Sequence, residues 1–163
     1  AGQIPSIRKK FIYYKDFAKA SIDDIFTKEQ LSKATKFTLQ TLQTSYIENF
    51  GNLKFAIRPL PIEAQFSKVS GILYNDYNQD GKKDILIAGN FFEHRVQYGK
   101  EDASYGLLLQ GDGKGNFTSV MPETTGFYAS GNVRDIVELK SKKSNLIIVG
   151  KNNDSLQVIR VIK

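Results

Sequence analysis

The chain has 163 residues, 40% hydrophobic and 12% aromatic, enough for one domain with a real core and too apolar for a disordered chain. Its formal net charge of +6, from 23 Lys+Arg against 17 Asp+Glu, is spread along the sequence with one tight run at Arg8-Lys9-Lys10, so no nucleic-acid partner is expected: counterion release needs clustered positive charge. With no Cys and one His, His94, the composition excludes a disulfide scaffold, a thiolate nucleophile, a Cys-ligated metal and a multi-His metal centre.

No apolar run approaches the ~20 residues that span a bilayer, so no membrane span is expected. The start, Ala1-Gly2-Gln3, carries neither Met nor a signal-peptide pattern and reads as processed or cut from something longer. Of the 13 glycines only Gly2 precedes position 50, which divides the chain into two differently built regions. Residues 1–36 are expected to form a short helical segment, and 37–163 an all-β region. Within 14–36, Ser21 followed by Asp23 and Asp24 reads as an N-cap with acidic residues in the first turn. Thr27-Lys28-Glu29-Gln30 has capping-box spacing, and Ile22, Ile25, Phe26 and Leu31 give an apolar stripe. Two helices are predicted, over 22–26 and 28–35. From Phe37 the period changes: Phe37, Leu39 and Thr41 alternate with Thr38 and Gln40, as in a strand.

Nine further strands are predicted, at 44–49, 53–58, 69–75, 84–89, 105–110, 116–120, 133–139, 145–150 and 156–161. Runs such as Ile85-Leu86-Ile87-Ala88 and Leu146-Ile147-Ile148-Val149 have strand length and Gly/Asn/Asp boundaries. The strands also repeat. The turn before Phe55 matches Gly111-Asp112-Gly113-Lys114-Gly115-Asn116 before Phe117 (117 − 55 = 62), and Asp84–Gly89 matches Asn145–Gly150 (150 − 89 = 61). A period near 60 with four strands per unit is the pattern of propeller blades or a similar array. Residues 44–90 and 105–150 are therefore expected to form two equivalent four-stranded units.

The segment that carries chemistry is Asp76-Tyr77-Asn78-Gln79-Asp80-Gly81-Lys82-Lys83-Asp84. It places oxygen side chains at loop positions 1, 3, 5 and 9, with Gly at 6 for a sharp turn and the Lys82 carbonyl at 7. Ca²⁺ is a hard cation that takes six to eight oxygens, and this spacing points several at one centre. Position 12, where an EF-hand has a bidentate Glu, is Ile87, so the site expected is strand-loop-strand. The same spacing also serves Asp/Asn/Gly turns that hold themselves together by side-chain to backbone bonds. The corresponding place in the second copy, Leu139-Lys140-Ser141-Lys142-Lys143-Ser144-Asn145, has no carboxylate and is not expected to bind calcium.

Asp76-x-Asn78-x-Asp80-Gly81-x-x-Asp84, followed by Ile-Leu-Ile-Ala-Gly-Asn, resembles an FG-GAP or VCBS repeat, and the turns Gly51-Asn52-x-x-Phe55 and Gly113-x-Gly115-x-Phe117 resemble the G-x-G-x-F hairpins of the same repeats. The resemblance covers 37–163. It implies blades of an integrin-α-like β-propeller, calcium held by Asp76, Asn78, Asp80, the Lys82 carbonyl and Asp84, and an origin in the C-terminal part of a large bacterial secreted or surface protein. About two blades are present, so the fold expected is a partial propeller behind a short helical segment.

Among other residues, His94 beside Glu93 and Arg95 reads as a solvated loop residue. Arg134-Asp135 opens a strand and is expected to make a structural ion pair. Tyr13, Tyr14, Tyr98, Tyr105 and Tyr128 either form a carbohydrate-stacking surface or, the favoured reading, fill blade interfaces. Asp112 belongs to a hairpin turn. The function expected is a non-enzymatic, calcium-stabilised binding or scaffolding module outside the cytoplasm, with protein, carbohydrate, another copy or further blades as partner. The alternative is part of a polysaccharide lyase or hydrolase, which needs an acid/base pair that no motif here supplies.

Overall fold

The computed structural model describes residues 4–141 and 144–162. The chain divides at Thr41–Leu42 into two units.

The first unit holds four short helices. Helix α1 (Pro5–Lys10) starts on a proline, whose missing N–H is no loss at a helix start. Helix α2 (Tyr14–Lys19) follows, and Phe11 and Phe17 meet edge to face with ring centroids 5.7 Å apart. Helices α3 (Ile22–Ile25) and α4 (Lys28–Lys33) each begin with a complete capping box, Ser21 with Asp24 and Thr27 with Gln30. In the second, the Gln30 N–H donates to Thr27 Oγ1 (3.2 Å) and the Thr27 N–H to Gln30 Oε1 (2.9 Å). None of these helices buries a residue completely. The strand expected at 37–41 does not form: residues 35–42 have no regular structure, and Phe37, Leu39 and Leu42 are exposed. Alternation alone does not make a strand where no neighbouring chain accepts its hydrogen bonds.

The second unit is mostly β. Its nine strands are β1 (Ser45–Asn49), β2 (Phe55–Pro59), β3 (Gly71–Asn75), β4 (Asp84–Ala88), β5 (Leu107–Gly111), β6 (Phe117–Val120), β7 (Val133–Lys140), β8 (Asn145–Lys151) and β9 (Gln157–Val161), with a one-turn helix α5 (Pro122–Thr125) between β6 and β7. All pairings are antiparallel. They form a two-stranded sheet β1-β2, a four-stranded sheet β3-β4-β5-β6 and a three-stranded sheet β7-β8-β9. This corrects the expected grouping into two four-stranded units: β1-β2 and β3-β4 are not one sheet, and the single four-stranded sheet runs from β3 to β6.

The four-stranded sheet packs its back face on the three-stranded sheet, and its front face meets the β1-β2 hairpin at Phe117. Its front face carries Ile87, Leu107 and Leu109, which cluster with Ala64, and Phe117 on that face meets Tyr46 of β1 edge to face at 5.5 Å. Its back face carries Leu86 and Ala88, which cluster with Ile136, Ile147 and Val149 of the three-stranded sheet and with Phe127 and Ala129. Leu109 and Val149 are 0% exposed.

Two registers coincide. Adding 62 (117 − 55) to four of the five pairs of the β1-β2 ladder gives the β5-β6 ladder: Asn49↔Phe55 becomes Gly111↔Phe117, and Tyr46↔Arg58 becomes Leu108↔Val120. The spacing of 61 between β4 and β8 is corrected by the faces. Ile147 and Val149 point forward at the sheet in front of them, as Ile85 and Ile87 do, and 147 − 85 is 62. A slip of one residue would turn every side chain to the opposite face.

Candidate metal loop

Asp76–Lys83 joins β3 to β4, and Asp84 opens β4. The sharp turn is made by two left-handed residues, Gln79 (φ 63°) and Gly81 (φ 82°). A Cβ at position 81 would meet nothing within 4 Å, so backbone conformation and not crowding is what favours glycine there.

The side chains fold inward onto the loop's own amides. Asp76 accepts from the Asp80 N–H (3.2 Å) and the Gly81 N–H (3.0 Å), one on each oxygen. Asn78 Oδ1 accepts from the same Asp80 N–H at 3.1 Å, so oxygens of Asp76 and Asn78 converge on one nitrogen. Asp80 accepts from the Lys82 N–H (2.8 Å) and from Asn78 Nδ2 (3.1 Å), and Lys82 Nζ lies 3.9 Å from its carboxylate. The Lys82 N–H is the main reason the Asp80 carboxyl is held below its usual range, with the Asn78 amide and the Lys82 charge adding to it.

Asp84 differs from the others. It is completely buried, and its two oxygens accept from the Tyr77 N–H and the Gly111 N–H, both at 3.0 Å. It therefore ties the loop's beginning to its end and to the last residue of β5. A side chain at Gly111 would strike the Lys83 carbonyl, so this approach requires glycine. Thus Asp76, Asn78 and Asp80 stand together on the loop, while Asp84 sits beneath them as a pin. Among the described residues no three His, Asp or Glu side chains are gathered closely enough to hold a metal by themselves. The donor chemistry nonetheless fits a hard cation: oxygens of Asp76 and Asn78 converge on one amide, the Asp80 carboxylate lies on the same loop, and each accepts with lone pairs to spare.

Sequence reasoning missed the support behind the loop. Glu138 of β7 accepts from Asn75 Nδ2 with both oxygens (2.9 and 3.1 Å) and from Asn145 Nδ2 (2.9 Å), while Asn75 Oδ1 accepts from the Asp76 N–H (2.9 Å). This chain links the three-stranded sheet to the first residue of the loop. Nothing in the sequence marks Glu138, because its partners lie 63 and 7 residues away. The Tyr77 hydroxyl is buried without a hydrogen-bond partner among the described residues, and burial, then the charges of Glu138 and Asp84, pushes its pKa well above the usual tyrosine value.

The remaining candidates fall elsewhere. Asp112 caps the β5-β6 hairpin, accepting from the Lys114 N–H (2.7 Å), the Asn116 N–H (3.1 Å) and Asn116 Nδ2 (2.6 Å). The Asn116 side chain is the largest cause of its low pKa, about 2. His94 Nε2 lies 2.6 Å from Glu101 Oε1, so it has a carboxylate partner. Arg134 pairs with Glu93 and not with its neighbour Asp135, whose Oδ1 accepts from the Ile136 N–H. Tyr13, Tyr14, Tyr98, Tyr105 and Tyr128 are exposed, which corrects the expectation that they fill interfaces. Lys142 and Lys143 lie outside the described residues, and with them the expectation that this copy lacks a calcium site. No helix of the described residues is long and apolar enough to cross a membrane.

Comparison with family models, with curated proteins and with solved structures gives no match to this chain.

Proposed function

We propose that the chain is a non-enzymatic, calcium-stabilised binding or scaffolding module of a larger protein outside the cytoplasm, built from propeller-like blades of the FG-GAP or VCBS kind. The observation that carries the metal part is the convergence of Asp76 and Asn78 oxygens on one amide, with Asp80 beside them and two left-handed residues closing the turn. Asp76, Asn78, Asp80, Asp84 and the Lys82 carbonyl would hold the ion, and Ca²⁺ would offset the charge of three carboxylates that Lys82 and Lys83 only partly balance. The chain's own part is to fix the loop: Asp84 pins it to β5, and the Asn75–Glu138–Asn145 chain pins it to the neighbouring sheet. The blade part is supported by the coincident β1-β2 and β5-β6 registers and by the like-facing β4 and β8. On this reading the sheets are rigid, and the loops between them are what a protein or carbohydrate partner meets.

Thermal melting with and without calcium tests the reading. A site of the extracellular class has a Kd on the order of 10⁻⁴–10⁻³ M. Ten-fold excess over Kd then adds ~1.4 kcal/mol, a rise of about 3–6 °C for a domain of this size. Asp80→Ala should abolish the rise, and Mg²⁺ should not replace calcium. Identical melting curves in EDTA and in excess Ca²⁺ would remove the metal from the proposal.

A further inference from the structure

The densest charge on the chain lies away from the loop. Between Arg8 and Lys19 stand five basic residues, Arg8, Lys9, Lys10, Lys15 and Lys19, against one acidic residue, Asp16. That is +4 of the net +6, and the rest of the chain is nearly neutral at +2, with 18 basic against 16 acidic residues. All five basic side chains are exposed. The same stretch carries an apolar tip. Ile12, Tyr13 and Tyr14 are consecutive at the turn from α1 into α2, and they are 82%, 63% and 83% exposed. Phe11 and Phe17 are occupied with each other, edge to face, but the tip has no such cover. Cations and rings share one surface: Lys10 Nζ lies 5.9 Å from the Phe11 ring centre and Lys15 Nζ 5.5 Å from that of Tyr13.

A partner for this segment must be both anionic and apolar. A protein surface, whether a second copy or a further segment of a larger protein, would have to bury the lysines that alternate with the tip or pair each with a carboxylate, and protein interfaces deplete Lys at their centres. A nucleic acid would meet the charges and stack on the tyrosines, but it offers Ile12 no apolar layer to enter. An anionic bilayer surface supplies both needs at different depths. Tyr rings and an Ile side chain enter the headgroup boundary, while Lys and Arg keep their heads at the phosphates.

We infer that Arg8–Lys19 docks on an anionic lipid surface, with Ile12, Tyr13 and Tyr14 entering the headgroup region and Arg8, Lys9, Lys10 and Lys15 bound at the phosphates. Helices of six residues are too short to cross a bilayer, so the segment lies on the surface. The inference goes beyond the binding role proposed above by naming a lipid partner, and it uses neither the calcium loop nor the blades.

Flotation of the full chain with lipid vesicles tests it, in EDTA so that calcium cannot bridge carboxylates to phosphates. The chain should float with phosphatidylcholine vesicles that contain roughly a third phosphatidylglycerol, stay behind with pure phosphatidylcholine, and be released by added salt. Replacing Arg8, Lys9 and Lys10 together by Gln should weaken binding roughly a hundred-fold, because each basic residue near an anionic surface contributes about five-fold. Ile12→Asp should weaken it roughly ten-fold by removing the inserted side chain. Tyr14→Asp repeats that measurement should Ile12→Asp alter the far-ultraviolet circular dichroism. The chain has no Trp, so Ile12→Trp reports depth: its emission should move to the blue on anionic vesicles, while that of Leu156→Trp, an exposed position of the second unit, should not. A wild type that does not float overturns the inference, as does flotation that the substitutions leave unchanged or a blue shift confined to Leu156→Trp. Tighter binding to a single-stranded oligonucleotide than to the vesicles would make the segment a nucleic-acid site instead. A blue shift of Ile12→Trp that grows with protein concentration without vesicles would assign the tip to a second copy. A calcium-insensitive melt defeats the metal reading and leaves all of these outcomes as they stand.

Discussion

Two aspartates four positions apart in one loop, Asp80 and Asp84, do different work, and a pair of substitutions separates them. Asp80 is exposed and bonds mainly within the loop, with one further side-chain hydrogen bond from Gln110 of β5. Asp84 is buried and accepts from amides of two different elements. Replacing Asp84 by Asn turns one acceptor into an NH₂ that faces an N–H, leaving a buried donor unmet at a cost of about 1–3 kcal/mol. Asp84→Asn should therefore lower the unfolding free energy measured in urea by that amount already in EDTA, and by at least as much in calcium. Asp80→Ala should change the unfolding free energy in EDTA by less than about 0.5 kcal/mol, as exposed substitutions do, and show its effect only in calcium. Equal losses for both variants in EDTA would mean that Asp80 is as structural as Asp84. The sequence spacing marked both residues as ligands, and nothing local distinguishes them. The distinction is made by Gly111, which sits 27 residues further on.

At the scale of elements, the strands were legible where the residues themselves decide. Runs such as Leu107-Leu108-Leu109 and Leu146-Ile147-Ile148-Val149, bounded by glycine and asparagine, form β5 and β8. The helix starts at Ser21 and Thr27 were legible for the same reason, since a capping box is a local device. Helices α1 and α2 were not, because six-residue helices without a side-chain cap leave little pattern to read. The grouping of strands failed for a deeper reason. A sheet covered on both sides is apolar at every position, so its sequence does not reveal which face looks forward, and the match between β4 and β8 slides by one residue without visible penalty. That same double burial sets the energy at stake. Leu109 on β5 is completely buried, clustered with Ile87, Leu107 and Ala64. Leu109→Ala should cost about 2–5 kcal/mol, the range for emptying a close-packed site, whereas Leu139→Ala on the open side of β7 should cost under about 1 kcal/mol. Denaturant melts of the two variants would show the gap, and comparable losses would mean that the open face is covered in solution.

For the whole molecule, burial is unevenly shared between the two units. The helices of the first unit bury no residue completely, and their capping boxes and ion pair are exposed. The fully buried apolar residues belong to the second unit, concentrated on β4, β5, β7 and β8 and on the segment Phe127–Ala129. Helices of four to six residues have too few internal bonds to persist alone, because nucleation costs more than so short a run returns. Local opening free energies should follow this division. Hydrogen exchange followed by mass spectrometry should find amides of Pro5–Lys33 exchanged within seconds at neutral pH, while Leu107–Gly111 and Asn145–Lys151 exchange only through global unfolding. Adding denaturant should accelerate the second group with the full equilibrium m-value and leave the first nearly unchanged. Protection of the helical segment equal to that of β5 would show that it is held by contacts beyond its own, and that the two units unfold as one.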